Sequence, residues 1–350
     1  MVASEIIKNF LHLKSLPTFC TYLVTWRCNA RCQMCDIWKK DKGDELTLAE
    51  IENIFRQLKL DAIRITGGEP FLREDLAEIV NTIQQYSRPK LIHITSNGFL
   101  TDRIVSFIGR CKKTKNLHIK ISIDAIGAKH DQIRGTPGAY TRAMDTLMKL
   151  IELRKDCQFY LGVDQTIIDE QGLEDYKKLT DILRPFNVQV HPVIAYVETA
   201  LYANQENINL LPKNAADYKC FFYFSPEKMT ELLSFLKKEA NALANLKERL
   251  VKKYYLKGLY NRLILNKAKP NPPCLALKNH LRILPNGEVP ICLFNSQIVG
   301  DLKKTSIEDL WFSKEIKKYR SLVEKCPGCW AGCEVTPNAI YSGDIIKGLF

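Results

Sequence analysis

The sequence predicts an α/β protein built from repeated strand–helix units, and three observations predict it. Over the first 200 residues, short apolar runs alternate with amphipathic stretches. After Tyr196 that alternation stops and long helical patterns take over. Beyond a proline-rich breaker, an Asn-Gly turn between apolar runs signals a small β element near the C-terminus.

The strands come first. Apolar, β-branched runs at Phe19–Thr25, Ala62–Thr66, Leu91–Thr95, Leu117–Ile123, Gln158–Ile167 and Asn187–Val193 read as strands. Between them, helical spacing marks Leu48–Leu58, Asp75–Gln85, Ala139–Leu153 and Leu173–Leu183. Alternation at this spacing gives a parallel sheet with crossover helices. Six such strands fit a partial α/β barrel or an open doubly wound sheet, and periodicity does not choose between them. Further on, apolar residues at spacings of three, four or seven predict a helix over Lys228–Leu250, with Ser225 as its N-cap and Pro226 in its first turn. A second helix is expected over Val251–Leu265. Lys269 to Pro273 breaks it. Leu281–Leu284 and Glu288–Leu293 then read as a hairpin across Pro285-Asn286-Gly287, followed by a helix over Ser306–Tyr319.

Composition narrows the class. Of 350 residues, 46% are apolar and 26% charged, enough to build a core. No apolar run reaches the ~18 residues a membrane span requires. Met1–Phe10 carries Glu5 and Lys8 and lacks an apolar signal core. A soluble, cytoplasmic protein is therefore expected. Twelve cysteines in so long a chain read as metal ligands or redox groups, not as a disulfide scaffold. The net charge of +12 favours anionic partners. Lys228 to Lys269 concentrates that charge, and its first reading is a solvated helical face.

The sharpest motif is Cys28-Asn-Ala-Arg-Cys32-Gln-Met-Cys35, on a loop just after the first strand. A structural zinc site closes with four ligands. An iron–sulfur cluster also takes four cysteines, so three leave one iron open to a ligand. A zinc site completed from elsewhere and incidental buried cysteines are the rival readings. Thr66-Gly67-Gly68-Glu69-Pro70 follows the second strand, where two glycines allow close backbone approach. Ser96-Asn97-Gly98 ends the third strand and Ser122-Ile123-Asp124 the fourth. Polar groups at carboxyl strand ends suit a bound ligand. His130-Asp131-Gln132-Ile133-Arg134-Gly135 comes next.

In this order the motifs resemble the radical S-adenosylmethionine (SAM) superfamily. The resemblance implies a partial (β/α)6 barrel over residues 15–196. It implies that Cys28, Cys32 and Cys35 hold a [4Fe–4S] cluster whose open iron binds SAM, and that reductive cleavage gives a 5′-deoxyadenosyl radical. It assigns cofactor binding to Gly67, Gly68, Glu69, Pro70, Asn97, Ser122, Asp124 and Arg134. Cys274, Cys292, Cys326, Cys329 and Cys333, with Gly300-Asp301-Leu302 and Ile307 to Trp311, resemble the SPASM/twitch auxiliary-cluster domain. A full SPASM domain has seven cysteines; five remain here. A second [4Fe–4S] cluster is expected on Cys274, Cys292, Cys326 and Cys329, with Cys333 an alternative ligand or a spare, and zinc the rival. The implied layout is a helical, basic bridging segment over 197–270, a β-hairpin/helix twitch-like domain over 271–335 and a tail over 336–350.

The resemblance also implies a reducing partner such as flavodoxin or ferredoxin. Only 27 residues precede Cys28, so no N-terminal peptide-recruiting domain is expected. A peptide or protein substrate is preferred narrowly over a lipid, isoprenoid or small molecule. Lys252 to Arg262 packs between domains or, second, meets a leader peptide or membrane surface. A zinc protein that binds nucleic acid is the distant alternative; no nucleic-acid partner is expected. No acid–base residue can be named. Cys20, Cys111, Cys157 and Cys220 read as structural, and His93, His118 and His191 as core or rim residues, with a barrel-lining place the second reading of His191.

Overall fold

The computed structural model describes residues 15–40, 43–196, 199–203, 209–211, 213–218 and 220–347. Met1–Phe10, read above for a signal core, lies outside the described residues. Six strands form where the apolar runs stand: β1 (Phe19–Leu23), β2 (Ala62–Thr66), β3 (Leu91–Ser96), β4 (Leu117–Ser122), β5 (Tyr160–Ile167) and β6 (Gln189–Ile194). The helices between them are α1 (Leu48–Arg56), α2 (Leu76–Tyr86), α3 (Thr101–Arg110), α4 (Ala128–Arg134), α5 (Ala139–Leu153) and α6 (Gly172–Leu183). The sequence reading missed α3 and α4. The first of these starts without a side-chain cap, and the other is only seven residues long.

Strand order decides between barrel and doubly wound sheet. All neighbours are parallel and run β6-β5-β4-β3-β2-β1, in sequence order without a switch point. Right-handed crossovers in one direction put every helix on one face. The sheet is thus a partial barrel. On the helix-covered face Ile63, Ile65, Ile92, Ile94, Ile119 and Ile121 are buried. On the inner face the alternate positions carry Arg64, His93, Thr95, His118, Lys120, Asp164 and His191, all partly exposed.

The expected hairpin is corrected. Its turn exists: the Leu284 amide donates to the Glu288 carbonyl at 2.8 Å. Its first arm pairs elsewhere. β7 (His280–Ile283) joins the barrel sheet, parallel to β1 with Phe19 opposite His280. β8 (Glu288–Pro290) pairs antiparallel with β9 (Ile298–Asp301) instead. An Asn-Gly turn reports a chain reversal, not the strands' partners, and the open edge of β1 offers a complete row of hydrogen-bonding groups. Seven strands therefore stand where six were expected.

The long helix is also corrected. α7 (Pro226–Ala242) ends before Asn245, which caps α8 (Leu246–Leu263) by accepting from the Lys247 and Glu248 amides at 3.0 and 3.3 Å. The apolar spacing runs on through the break, but Asn favours a cap over a helix interior. Ser225 caps α7 as expected. Ser313 likewise splits the predicted Ser306–Tyr319 helix into α9 (Ile307–Phe312) and α10 (Lys314–Glu324). The stretch read as a tail is helical up to residue 347, in α11 (Gly332–Ser342) and α12 (Asp344–Lys347). Cys333 therefore stands in the first turn of a helix. No helix among the described residues is long and apolar enough to cross a membrane.

Candidate active site and cysteine clusters

The Cys28–Cys35 loop leaves the carboxyl end of β1 and is clamped on two sides. On one side, the Gly68 amide donates to the Thr25 carbonyl and the Glu69 amide to the Arg27 carbonyl, each at 2.8 Å. A Cβ at Gly67 would stand 2.3 Å from the Thr25 carbonyl oxygen, and one at Gly68 2.1 Å from that of Arg27. The close approach the glycines allow is thus, in this fold, to the chain's own loop. On the other side, the Arg31 and Gln33 amides donate to Arg134 and Ile133 carbonyls at 2.9 and 3.0 Å. Met34 packs with Ala125, Ile133, Ile168 and Ala195. The three thiols are half-buried. Burial pushes the Cys28 thiol up to about 12 and that of Cys35 to about 11. Bare thiols here stay protonated near neutral pH, so a bound metal centre must supply the drive to ionise them.

The polar strand ends gather beside this loop. Glu69 is 1% exposed. Its Oε1 accepts from the Phe71 amide at 3.1 Å and Ser96 Oγ at 2.9 Å, and its Oε2 from the Asn97 amide at 2.7 Å. Burial raises its carboxyl to about 7 against these donors. Oε2 keeps a lone pair for a further donor. Pro70 opens a short 3-10 turn behind it. Asn97 Nδ2 donates to Asn29 Oδ1 on the cysteine loop at 2.6 Å. Ser122 is buried next to Asp124. Asp124 and Arg134 form a buried ion pair at 2.7 Å, and Arg134 Nη1 donates to Cys32 Sγ at 3.7 Å. Sequence spacing carried no sign of that pairing. Every residue assigned to cofactor binding therefore lies at the carboxyl ends of β2–β4 or on α4.

The second cysteine set is assembled from distant segments. Cys274 precedes β7, Cys292 follows β8, Cys326 and Cys329 follow α10, and Cys333 opens α11. Cys274 feels the charge of Cys292 and Cys326, and Cys329 that of Cys274, Cys292 and Cys333. Burial raises Cys274 to about 12 and pushes Cys292 and Cys329 up as well. Among the described residues no three His, Cys, Asp or Glu side chains converge on the position of one ion.

Aromatic packing holds this set. Trp330 is 1% exposed. Its ring stacks on Tyr254 and Tyr255 of α8 at 5.7 and 6.3 Å, with Arg262 3.9 Å above it. Gly258 makes room: a Cβ there would lie 1.9 Å from the Trp330 ring. The stretch Lys252 to Arg262 thus packs its Tyr254, Gly258 and Arg262 face against the cysteine loop. Glu334 of α11 pairs with Arg282 of β7 in full burial, and Arg64 Nη1 donates to the Cys333 carbonyl at 3.2 Å. Burial first, and the nearby charges of Cys333 and Cys35 second, push the Tyr202 hydroxyl up to about 12.

Of the inner face, the sequence reading gave a barrel-lining place only to His191, as a second reading, and missed Lys120, Tyr160 and Asp164. Lys120 Nζ pairs with Asp164 at 2.8 Å, Tyr160 OH bonds His191 Nε2 at 2.7 Å, and His118 stacks on Tyr160 at 4.6 Å. The signal was available. Ile-Arg-Ile-Thr, Ile-His-Ile-Thr and His-Ile-Lys-Ile alternate polar with apolar, which marks a sheet with one polar face. Cys20 and Cys111 are buried in the core, and Cys157 and Cys220 pack against it, as expected of structural cysteines.

Residues 22–179 match the model of the radical SAM superfamily, and residues 274–330 that of the SPASM iron-sulfur cluster-binding domain, together more than half the chain. The chain is 28% identical over 293 residues to molybdenum cofactor biosynthesis protein 1 of Bos taurus, covering 79% of this chain and 41% of that one. It is 36% identical over 173 residues to GTP 3′,8-cyclase of Alkaliphilus oremlandii, covering 45% and 50%. The chain thus spans half or less of the length of these two relatives. Streptococcus suis SuiB, solved bound to precursor peptide SuiA, shares the fold: TM-score 0.62 at 14% identity, over 92% of this chain and 70% of that one. The protein belongs to the radical SAM superfamily and carries a C-terminal SPASM domain, and these two domains imply SAM, a [4Fe–4S] cluster and further iron–sulfur centres as cofactors.

Proposed function

We propose that this enzyme abstracts hydrogen from a small polar substrate held on the inner face of the barrel. Cys28, Cys32 and Cys35 hold the first cluster. Gly67 to Pro70, Asn97, Ser122, Asp124 and Arg134 shape the SAM pocket beside it. Cys274, Cys292, Cys326 and Cys329 hold the auxiliary cluster, with Cys333 the neighbouring fifth thiol. When bound, the first cluster and SAM supply a 5′-deoxyadenosyl radical. The observation that carries the reading is the three-thiol loop clamped beside the polar carboxyl ends of β2–β4, where Glu69 and Asn97 meet it, at the mouth of a polar inner face.

The chain's own residues do the rest. Oε2 of Glu69 is placed to accept from an ammonium. Arg134 donates to Cys32 Sγ, and a hydrogen bond to a ligating sulfur tunes a cluster's potential. Asp124 keeps the buried guanidinium of Arg134 compensated. α8 and the Trp330 loop pack over the second thiol set. The polar inner face disfavours an isoprenoid or other lipid, whose apolar surface would strand buried charges without partners. The relatives named for a GTP cyclase and for molybdenum cofactor biosynthesis support a small polar substrate. A peptide is the second reading. Phe222 and Tyr223 are 54% and 75% exposed beside Phe221, which packs near Met34, and could seat a peptide's flanks. A reducing partner such as flavodoxin or ferredoxin completes the reading.

Iron and sulfide counts after anaerobic reconstitution test it. About eight irons per chain are expected, falling to about four in the Cys28/Cys32/Cys35→Ala variant, with 5′-deoxyadenosine formation lost. Retained SAM cleavage in that variant would refute the assignment.

A further inference from the structure

The inner face holds more positive charge than it neutralises. Arg64 on β2 and Lys120 on β4 point inward by strand alternation. Lys252 of α8, half-buried, joins them: its charge and that of Lys120 both act on His191, while Glu248 and Glu239 act on Lys252 from a distance without pairing with it. Asp164 pairs with Lys120. Among the described residues, no carboxylate forms an ion pair with Arg64 or Lys252. The described hydrogen bond of Arg64 goes to a carbonyl, that of Cys333, and its guanidinium lies 5.6 Å over the Phe19 ring.

The histidines add no charge. Burial first, and the nearby cations second, hold His118 down to about 4 and lower His93 and His191. All three are neutral near pH 7. Each then offers one N–H donor and one acceptor, and Tyr160 adds a hydroxyl.

Three partly buried cations that share one ion-paired carboxylate, Asp164, raise the energy of the empty site, and an anion that enters relieves that cost. Resting on the reading of this face as the substrate chamber, we infer that the barrel interior recognises an anionic group of the substrate, a phosphate or a carboxylate, gripped by Arg64 and Lys252 with Lys120 beside them. The neutral histidines and Tyr160 complete its hydrogen bonding. A neutral or cationic substrate would leave the surplus unanswered.

Calorimetric titration of the reconstituted protein at fixed ionic strength tests this, with inorganic pyrophosphate and glutarate as separate probes. One probe should saturate at about one per chain. Its Kd should rise at least tenfold in Arg64→Gln and in Lys252→Gln, and stay unchanged in Lys149→Gln, an exposed lysine on the barrel's exterior. Preference for pyrophosphate assigns a phosphate, and preference for glutarate a carboxylate. Absence of binding, or binding that the Arg64 and Lys252 variants leave intact, overturns the inference. Circular dichroism checks folding; if Arg64→Gln does not fold, Lys252→Gln, on a partly exposed helix position, decides alone. Iron content and SAM cleavage on the same wild-type sample separate the two readings. Protein that cleaves SAM but binds neither probe refutes only this inference, whereas protein that takes up no iron refutes the proposed function.

Discussion

The first cysteine set occupies eight consecutive residues on one loop, whereas the second draws five thiols from between residues 274 and 333. The two are also held differently. Main-chain contacts clamp the first, with glycines pressed against Thr25 and Arg27. Side chains assemble the second: Trp330 over Gly258, and the buried Arg282–Glu334 pair that joins α11 to β7. A contiguous motif needs only a rigid backbone cradle. A dispersed one needs long-range packing to bring its members together at all, and so depends on the stability of the whole C-terminal region.

Substitutions can break that contrast. The largest effect is expected from Trp330→Ala, which empties a fully buried aromatic site. It should cost about 3–5 kcal/mol and remove the iron of the second set while leaving that of the first. Equal loss from both sets, by iron analysis, would mean that the two are not held independently. Gly68→Ala comes next. Its Cβ cannot sit 2.1 Å from the Arg27 carbonyl, so the loop must shift, at about 1–3 kcal/mol. Iron should fall in the first set only, with 5′-deoxyadenosine formation reduced. A fully active Gly68→Ala enzyme would show that the clamp does not position the loop.

The smallest effect is a pH dependence that sharpens the contrast. His130, whose Nδ1 accepts from the Asp124 amide, is held near 4 by burial. It belongs to the first set's surroundings. Its folded pKa lies below the usual 6.5, so the unfolded chain takes up the proton first as pH falls. The stability contribution is complete above about 6.5 and is lost as pH drops towards 4. Thermal unfolding of the metal-free protein should therefore fall over that window. His130→Gln should flatten the slope by about 1 kcal/mol, or roughly 2 °C. An unchanged slope would place the titrating groups elsewhere, with buried His280 beside Glu334 the first candidate.

Local signals were legible. The six inner strands, the Ser225 cap and the Cys28–Cys35 motif rest on residues close in sequence, where spacing and propensity act directly. Failures came where a distant partner decided the outcome or where two local signals competed. Leu281–Leu284 read as a hairpin arm because its turn is local, yet β1 lay 260 residues earlier with an open edge. Lys228–Leu250 read as one helix because apolar spacing continues, yet the cap at Asn245 is a competing local signal that was outweighed.

By itself, then, the sequence determined the order of strands and helices, the three-thiol loop and the polar alternation of the inner strands. These follow from backbone periodicity and from side chains within one turn or loop. Only the tertiary structure decided the seventh strand, the Asp124–Arg134 pair, the seating of Trp330 on Gly258 and the Lys120–Asp164 pair. A residue's type states which bonds it can make, but burial and pairing, even between residues as near in sequence as Asp124 and Arg134, depend on how the sheet closes around them.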